Sequence, residues 1–126
     1  ELASRMGIEI TELGARRAVA RMPVAGNTQP YGMLHGGASV LLAESVGSVA
    51  ANVHAGPDHA ALGLEISATH HRAVRHGHVH AEAVALHLGR RVASYEIAIT
   101  DDEGRRGCSA RLTCMIVPRP ESTPAT

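Results

Sequence analysis

The chain has 126 residues, no net charge at neutral pH, 44% hydrophobic residues and 19% charged residues. This composition is typical of one globular domain, and it lacks the positive field that would attract nucleic acid. The sequence contains no Phe or Trp, so the core must be built from smaller aliphatic side chains, and burial of further surface in an oligomer would add stability.

Neither a membrane span nor a leader is predicted. No apolar run reaches 18 residues, and the start at Glu1 has no signal-peptide pattern; because it lacks Met, we expect that the chain was trimmed. Cys108 and Cys114 share one face of a predicted strand at a distance of about 20 Å, too far for a disulfide. Two free thiols fit a reducing compartment, so we expect cytoplasmic localisation.

The first half of the chain predicts a strand, a loop and a long helix. Residues 16–22 alternate and form a strand that ends at Pro23. Residues 24–34 contain Gly, Asn and Pro and form a loop. Residues 36–54 are apolar on nearly every side, which predicts a buried helix, and Gly56 begins a helix-breaking segment.

Four strands are predicted after the helix, with short connections between them. Within residues 78–88 the apolar positions change parity after Ala83, which predicts a β-bulge there. Asp101 to Gly104 have the composition of a hairpin turn. The order predicts an α+β fold in which one helix packs on a curved antiparallel sheet. We expect a single domain over residues 1–117 and a disordered tail over residues 118–126.

One segment carries residues that suit acyl chemistry. The turn His35-Gly36-Gly37 opens the helix, and a helix N-terminus presents free N–H groups to an anion or a developing oxyanion. Glu44 lies about two and a half turns further inside. A carboxylate buried in an apolar helix costs several kcal/mol unless a function requires it.

The pattern Gln29-Pro30-x-Gly32-x-x-His35-Gly36-Gly37, followed by Glu44 and Ser48, resembles the hotdog-fold acyl-CoA thioesterases. It is similar to their phenylacetate-pathway and enterobactin-proofreading (PaaI-like) branch, over roughly residues 7–117. The resemblance implies a hotdog fold, in which the sheet wraps around one long central helix. It also implies active sites at subunit interfaces, a homodimer as the minimum active unit, and a homotetramer made of two dimers.

The resemblance also implies catalytic roles. Glu44 would be the nucleophile or the general base that activates water, and the Gly36 N–H would bind the thioester oxygen. Gln29 and His35 of the other subunit would orient the carbonyl or the leaving group. Ser48 would help to hold the attacking water or the acyl group.

Four further residues are assigned to substrate binding by the resemblance. His70 would lie near the acyl end of the pocket, and Gly37 belongs to the same turn as the oxyanion donor. Arg90 and Arg91 would meet the CoA nucleotide, where guanidinium groups suit phosphates. No metal and no cofactor are expected, because CoA is part of the substrate.

The spacing of two residues gives an independent reason for a shared site. His35 and Glu44 are nine residues apart, which is about 13 Å along a helix. One thioester carbonyl cannot touch both in the same subunit. If both act on the same carbonyl, one of them comes from a partner chain.

The favoured reaction is hydrolysis of an aryl-CoA, such as phenylacetyl-CoA or hydroxybenzoyl-CoA, while medium-chain acyl-CoA and an acyl carrier protein thioester stay open. One alternative is a hotdog-fold hydratase or dehydratase, against which the segment from Gln29 to Gly37 argues. Another is a non-catalytic acyl-CoA-binding protein, which would usually lack Glu44. Neither nucleic acid nor membrane is an expected partner. His76, His78 and His80 have a spacing that metal sites use, but we expect them to face solvent or an interface.

Overall fold

A computed structural model describes residues 1–121; residues 122–126, which hold most of the predicted tail, lie outside the described residues. The elements in chain order are α1 (Leu2–Arg5), β1 (Glu9–Glu12), β2 (Arg17–Pro23), α2 (Gly36–Ala55), β3 (His59–His70), β4 (His78–Leu88), β5 (Val92–Thr100) and β6 (Arg106–Pro118). The long helix and the four strands after it follow the prediction, whereas α1 and β1 were not predicted. β6 extends one residue past the expected domain boundary.

The six strands form one antiparallel sheet in the order β1-β2-β4-β5-β6-β3, and α2 packs on one face against β2 to β6. The predicted α+β architecture is confirmed. The prediction that consecutive strands pair is wrong at one place, because β3 pairs with β6 and not with β4. Residues 71–77 carry the chain from the edge strand β3 to the middle of the sheet. β3 is therefore an edge strand that follows the helix directly.

Local signals at both ends define α2. His35 is the N-cap, and its Nδ1 accepts a hydrogen bond from the Gly37 N–H at 2.8 Å. Gly56 ends the helix at a φ of 82°, a conformation that favours glycine. No helix within residues 1–121 is long and apolar enough to cross a membrane.

The prediction of a helix buried on all sides is wrong for the single chain. Apart from Leu42 and Val46, small residues make up the face of α2 that packs on the sheet, and Gly47 even lets Leu112 approach the helix backbone. The opposite flank stays open, with Val53 46% exposed. One sheet covers only one face of a helix, so the remaining apolar flank needs another surface to cover it.

The bulge in β4 also differs from the prediction. The register against β5 shifts between Ala85 and His87, and not near Ala83. Val84 and Leu86 lie exposed on the outer face of the sheet, whereas Ala83 is buried. Apolar residues on an outer face imitate a change of parity, and this misplaced the bulge in the sequence analysis.

Candidate active site

The loop before α2 is held in place by backbone hydrogen bonds. The His35 N–H donates to the Asn27 carbonyl at 2.9 Å, and the Leu34 N–H donates to the Val74 carbonyl at 2.8 Å. Gln29 is half-buried, its N–H donates to the Met33 carbonyl at 2.8 Å, and its Oε1 accepts from the Tyr31 N–H. These bonds leave the Gln29 side-chain NH₂ as the donor that this loop can offer a ligand.

The His35 cap distinguishes the two glycines that follow it. The Gly37 N–H is occupied by His35 Nδ1, whereas within residues 1–121 the Gly36 N–H has no acceptor. Because Nδ1 acts as an acceptor, the proton of the neutral ring is on Nε2. The turn therefore presents two outward donors, the Gly36 N–H and the Nε2–H of the exposed His35.

A pocket of about 340 Å³ opens at this end of the helix. Gln29, Met33, Gly36, Ser39, His70 and Cys108 are among its lining residues. A Cβ atom on Gly36 would lie 3.1 Å from His70 Nε2, so the imidazole covers the helix N-terminus closely. Buried Ser39 was missed in the sequence analysis, although it follows Gly36 by three residues and so lies on the same face of the helix.

Glu44 does not line this pocket. It is half-buried in α2, and its Oε2 lies 2.7 Å from the position that a Cβ atom on Gly63 would occupy. Glu44 and the Gly36 N–H are separated by eight residues of one helix, or about 12 Å. The single chain therefore keeps the carboxylate and the oxyanion donor apart.

A buried thiol lies near Glu44 and Ser48. Cys114 is fully buried, and burial raises its pKa, with a further contribution from the negative charge of Glu44. A hydrogen bond with the Ser48 side chain acts on this pKa in the opposite direction. The chain thus gathers Glu44, Ser48, Cys114 and Gly63 into one cluster.

The two arginines lie at the other end of the helix. Arg90 and Arg91 are exposed in the turn between β4 and β5. Arg90 borders a groove of about 330 Å³ with His54 and His59, and the His54 ring binds the Gly89 carbonyl at 2.6 Å. A helix of 20 residues is about 30 Å long, so in one chain the arginines are far from the pocket at Gly36.

His80 and the backbone of His78, both on β4, interact with the Asp102 carboxylate. His80 Nε2 lies 2.7 Å from Asp102 Oδ1, and the His78 N–H donates to Asp102 Oδ2 at 3.1 Å. Throughout residues 1–121, no three side chains of His, Cys, Asp or Glu are placed to bind one metal ion.

Comparisons with known proteins identify the class to which this fold and site belong. Residues 31–108 match the thioesterase superfamily. The proofreading thioesterase EntH of Cronobacter turicensis is 46% identical over 117 residues, which are 92% of this chain and 85% of the relative.

Solved structures agree with this match. A thioesterase from Haemophilus influenzae superposes with a TM-score of 0.90 at 39% identity, covering 94% of this chain and 83% of that chain. A protein of Staphylococcus aureus superposes with a TM-score of 0.90 at 30% identity, covering 94% of this chain and all of the other. It has been solved as a glutamate-to-alanine variant and, described as a thioesterase, as a glutamine-to-alanine variant.

The fold and the relatives define a hotdog-fold thioester hydrolase. More particularly, the chain belongs to the thioesterase superfamily. The predicted resemblance and the predicted enzyme class are both confirmed.

Proposed function

We propose that the protein hydrolyses acyl-CoA thioesters, with aryl-CoA favoured, to the free acid and CoA at sites shared between two subunits. The separation of Glu44 from the free Gly36 N–H on one helix carries this proposal. A thioester carbonyl bound by one Gly36 N–H is about 12 Å from Glu44 of the same chain. The attacking carboxylate must therefore come from a partner.

The free edge of β3 supports a homodimer. β3 has 12 residues, and its side away from β6 is unpaired within the described chain. Leu62 and Leu64 on this strand are 49% and 63% exposed. A long apolar edge strand is a template for pairing with a second chain.

Antiparallel pairing of two β3 strands would also bring the separated groups together. Centred near Ser67, it would set Leu64 of one subunit opposite the partner's His70. Gly63 contacts Glu44 and His70 covers Gly36, so each Glu44 would approach the partner's Gly36. Dimers of this kind, pairing further into a homotetramer, are the assembly we propose.

The chemistry follows from these donors. The Gly36 N–H stabilises the negative charge that develops on the carbonyl oxygen. Glu44 either attacks the carbonyl carbon, forming an anhydride that water then hydrolyses, or removes a proton from the attacking water. The C–S bond breaks, and the sulfur takes up that proton or one from solvent, so that CoA leaves as a thiol. The Gln29 NH₂ and the His35 Nε2–H orient the carbonyl or the leaving group, and Ser48 holds the water or the acyl group.

A spacing in a relative supports the pairing of Gln29 with Glu44. The glutamine and the glutamate replaced in the two Staphylococcus aureus variants are fifteen positions apart. Gln29 and Glu44 have the same separation here. We propose that these two positions correspond.

Substrate binding extends to both ends of the helix. His70 contacts the acyl end, Gly37 keeps His35 in place, and Arg90 and Arg91 bind the phosphates of CoA. A carrier-protein thioester is the second substrate form that we propose. The reaction needs no metal or cofactor, and the buried free thiols favour a cytoplasmic enzyme.

Replacing Glu44 tests this mechanism. We expect Glu44→Gln to lower kcat by about 1,000-fold or more, because the amide keeps the shape but neither attacks nor accepts a proton. Thiol release, followed with a disulfide dye over a panel of aryl- and fatty-acyl-CoA esters, measures the loss and ranks the substrates.

Glu96→Gln is the matched control, since Glu96 is an exposed carboxylate on β5, away from α2. It should keep the wild-type rate. A Glu44→Gln enzyme with more than about a tenth of that rate would remove Glu44 from the chemistry. If the wild-type protein cleaves no CoA ester, the carrier-protein thioester becomes the substrate to test.

A further inference from the structure

We infer that Gly63 is a positioning residue for Glu44: its missing side chain leaves the space in which the carboxylate lies against β3. The inference rests on the proposed role of Glu44. A Cβ atom at position 63 would lie 2.7 Å from Glu44 Oε2, closer than two such atoms can approach. The carboxylate therefore occupies the place that a side chain on β3 would fill.

Backbone conformation does not explain this glycine. The glycines of the described chain with positive φ are Gly7, Gly26, Gly32, Gly56, Gly77 and Gly104. Gly63 is not among them, so its backbone angles suit other residues as well. A glycine inside a strand weakens it unless another group needs to come close. Here that group is the Glu44 carboxylate.

The neighbouring strands continue the same depression. Cys114 on β6 lies opposite Gly63, and Ala93 on β5 lies opposite Cys114. Gly63 has no side chain and the other two are small, and Ser48, one turn after Glu44, acts to lower the pKa of the Cys114 thiol, which burial raises. Small residues therefore line the part of the sheet that faces Glu44 and Ser48.

Two residues earlier on β6, a large side chain takes the place of these small ones. Leu112 rises toward the helix, and its Cδ2 lies 2.6 Å from the position of a Cβ atom on Gly47. The helix thus fits the sheet with its own glycine above a large residue and with Glu44 above the small ones. This complementarity fixes the depth at which Glu44 is held.

A β-bulge follows immediately. The register of β3 against β6 shifts between Gly63 and Glu65, which makes Leu64 the extra residue. Bulges re-aim side chains and often lie beside active sites. The strand therefore presents Gly63 to Glu44 and then restores the inward direction for Ile66, which is half-buried.

Gly63→Ala tests the inference. We expect the methyl group to displace the carboxylate, which is the flexible end of its side chain, and to lower kcat about 100-fold. The KM should stay within about threefold of the wild-type value, because substrate binding depends on other residues. Gly14→Ala is the control, since Gly14 also lacks a positive φ, lies outside the Glu44 cluster, and should leave both constants unchanged.

A second background separates positioning from a general structural effect. Glu44→Asp shortens the side chain by one methylene and withdraws it from position 63. Adding Gly63→Ala to Glu44→Asp should change kcat by less than about threefold, because the collision no longer occurs. Recovery of folding in the double variant, if Gly63→Ala alone does not fold, would support the same contact.

Three results would overturn the inference. The first is a wild-type kcat in Gly63→Ala. The second is an equal loss of kcat when Gly63→Ala is added to the wild type and to Glu44→Asp. The third is failure of both Gly63→Ala and the double variant to fold. Failure of the proposed function is recognised separately, because Glu44→Gln would then be as active as the wild type whatever Gly63→Ala does.

Discussion

Tyr95 is the largest fully buried side chain of the protein. Its hydroxyl donates a hydrogen bond of 2.6 Å to the Ala15 carbonyl, which ties the middle of β5 to the loop between β1 and β2. Burial, with a smaller contribution from Cys114, raises the pKa of Tyr95 to about 12 from its ordinary value of 10.0. In a core without Phe or Trp, this one ring fills volume that several aliphatic residues would otherwise supply.

The raised pKa predicts a loss of stability in alkali. The folded chain holds the phenol proton more tightly than the unfolded chain, so this contribution is complete below pH 10 and is lost as pH rises toward 12. Tyr95→Phe should lower the free energy of unfolding by about 1 kcal/mol at neutral pH, by removing the hydrogen bond.

Urea denaturation at a series of pH values measures this effect. The difference between Tyr95→Phe and the wild type should shrink between pH 10 and 12. A constant difference across that range would show that ionisation of Tyr95 is not coupled to unfolding.

Among the elements, α2 and β3 are hydrogen-bonded to each other through the side chain of Asn52. Asn52 Oδ1 accepts from the Ala61 N–H at 2.9 Å, and Asn52 Nδ2 donates to the Ser48 carbonyl at 2.8 Å. The first bond satisfies an N–H of the edge strand that β6 does not bind. It also fixes the strand beside the helix turn that carries Ser48.

Asn52→Ala should loosen this connection. We expect a decrease of about 1 kcal/mol in the free energy of unfolding from the lost hydrogen bonds, partly offset by the better helix propensity of Ala. Hydrogen exchange is the sharper measurement, because the Ala61 amide should exchange faster while amides of β5 keep their protection. Unchanged exchange at Ala61 would mean that Asn52 contributes nothing to holding β3.

These same elements show what the sequence could predict. The bounds of α2 depend on adjacent residues, His35 at one end and Gly56 at the other. The predicted start is therefore the observed one, and the predicted end is one residue short of Ala55. The place of β3 beside β6 depends on the path of residues 71–77, for which no local pattern exists. The contact of Glu44 with Gly63 depends on how β3 packs against α2, which the motif does not encode.

At the scale of the whole molecule, the proposed site requires two chains. In a two-fold dimer, each site combines Glu44 of one subunit with the Gly36 turn of the other. A dimer made of one Glu44→Gln and one His35→Ala subunit therefore contains one site with both substitutions and one site with neither.

Mixing Glu44→Gln with His35→Ala, which loses the Nε2–H donor and is expected to be inactive, tests the shared site. After subunit exchange at equal concentrations, half of the dimers are mixed, and the solution should regain about a quarter of the wild-type activity. Each variant alone is the control, and dimer exchange is followed by native mass spectrometry. Mixed dimers without activity would show that no site combines Glu44 of one subunit with His35 of the other.

The two thiols of β6 bear on how such variants are assayed. Cys108 and Cys114 are buried and free, and burial raises the pKa of both. A dye that reacts with thiolates therefore counts released CoA and ignores the folded enzyme. An unfolded variant would expose both sulfurs and give a rapid burst of two equivalents per chain without substrate. The presence or absence of this burst therefore distinguishes a folding defect from a catalytic defect in the same activity assay.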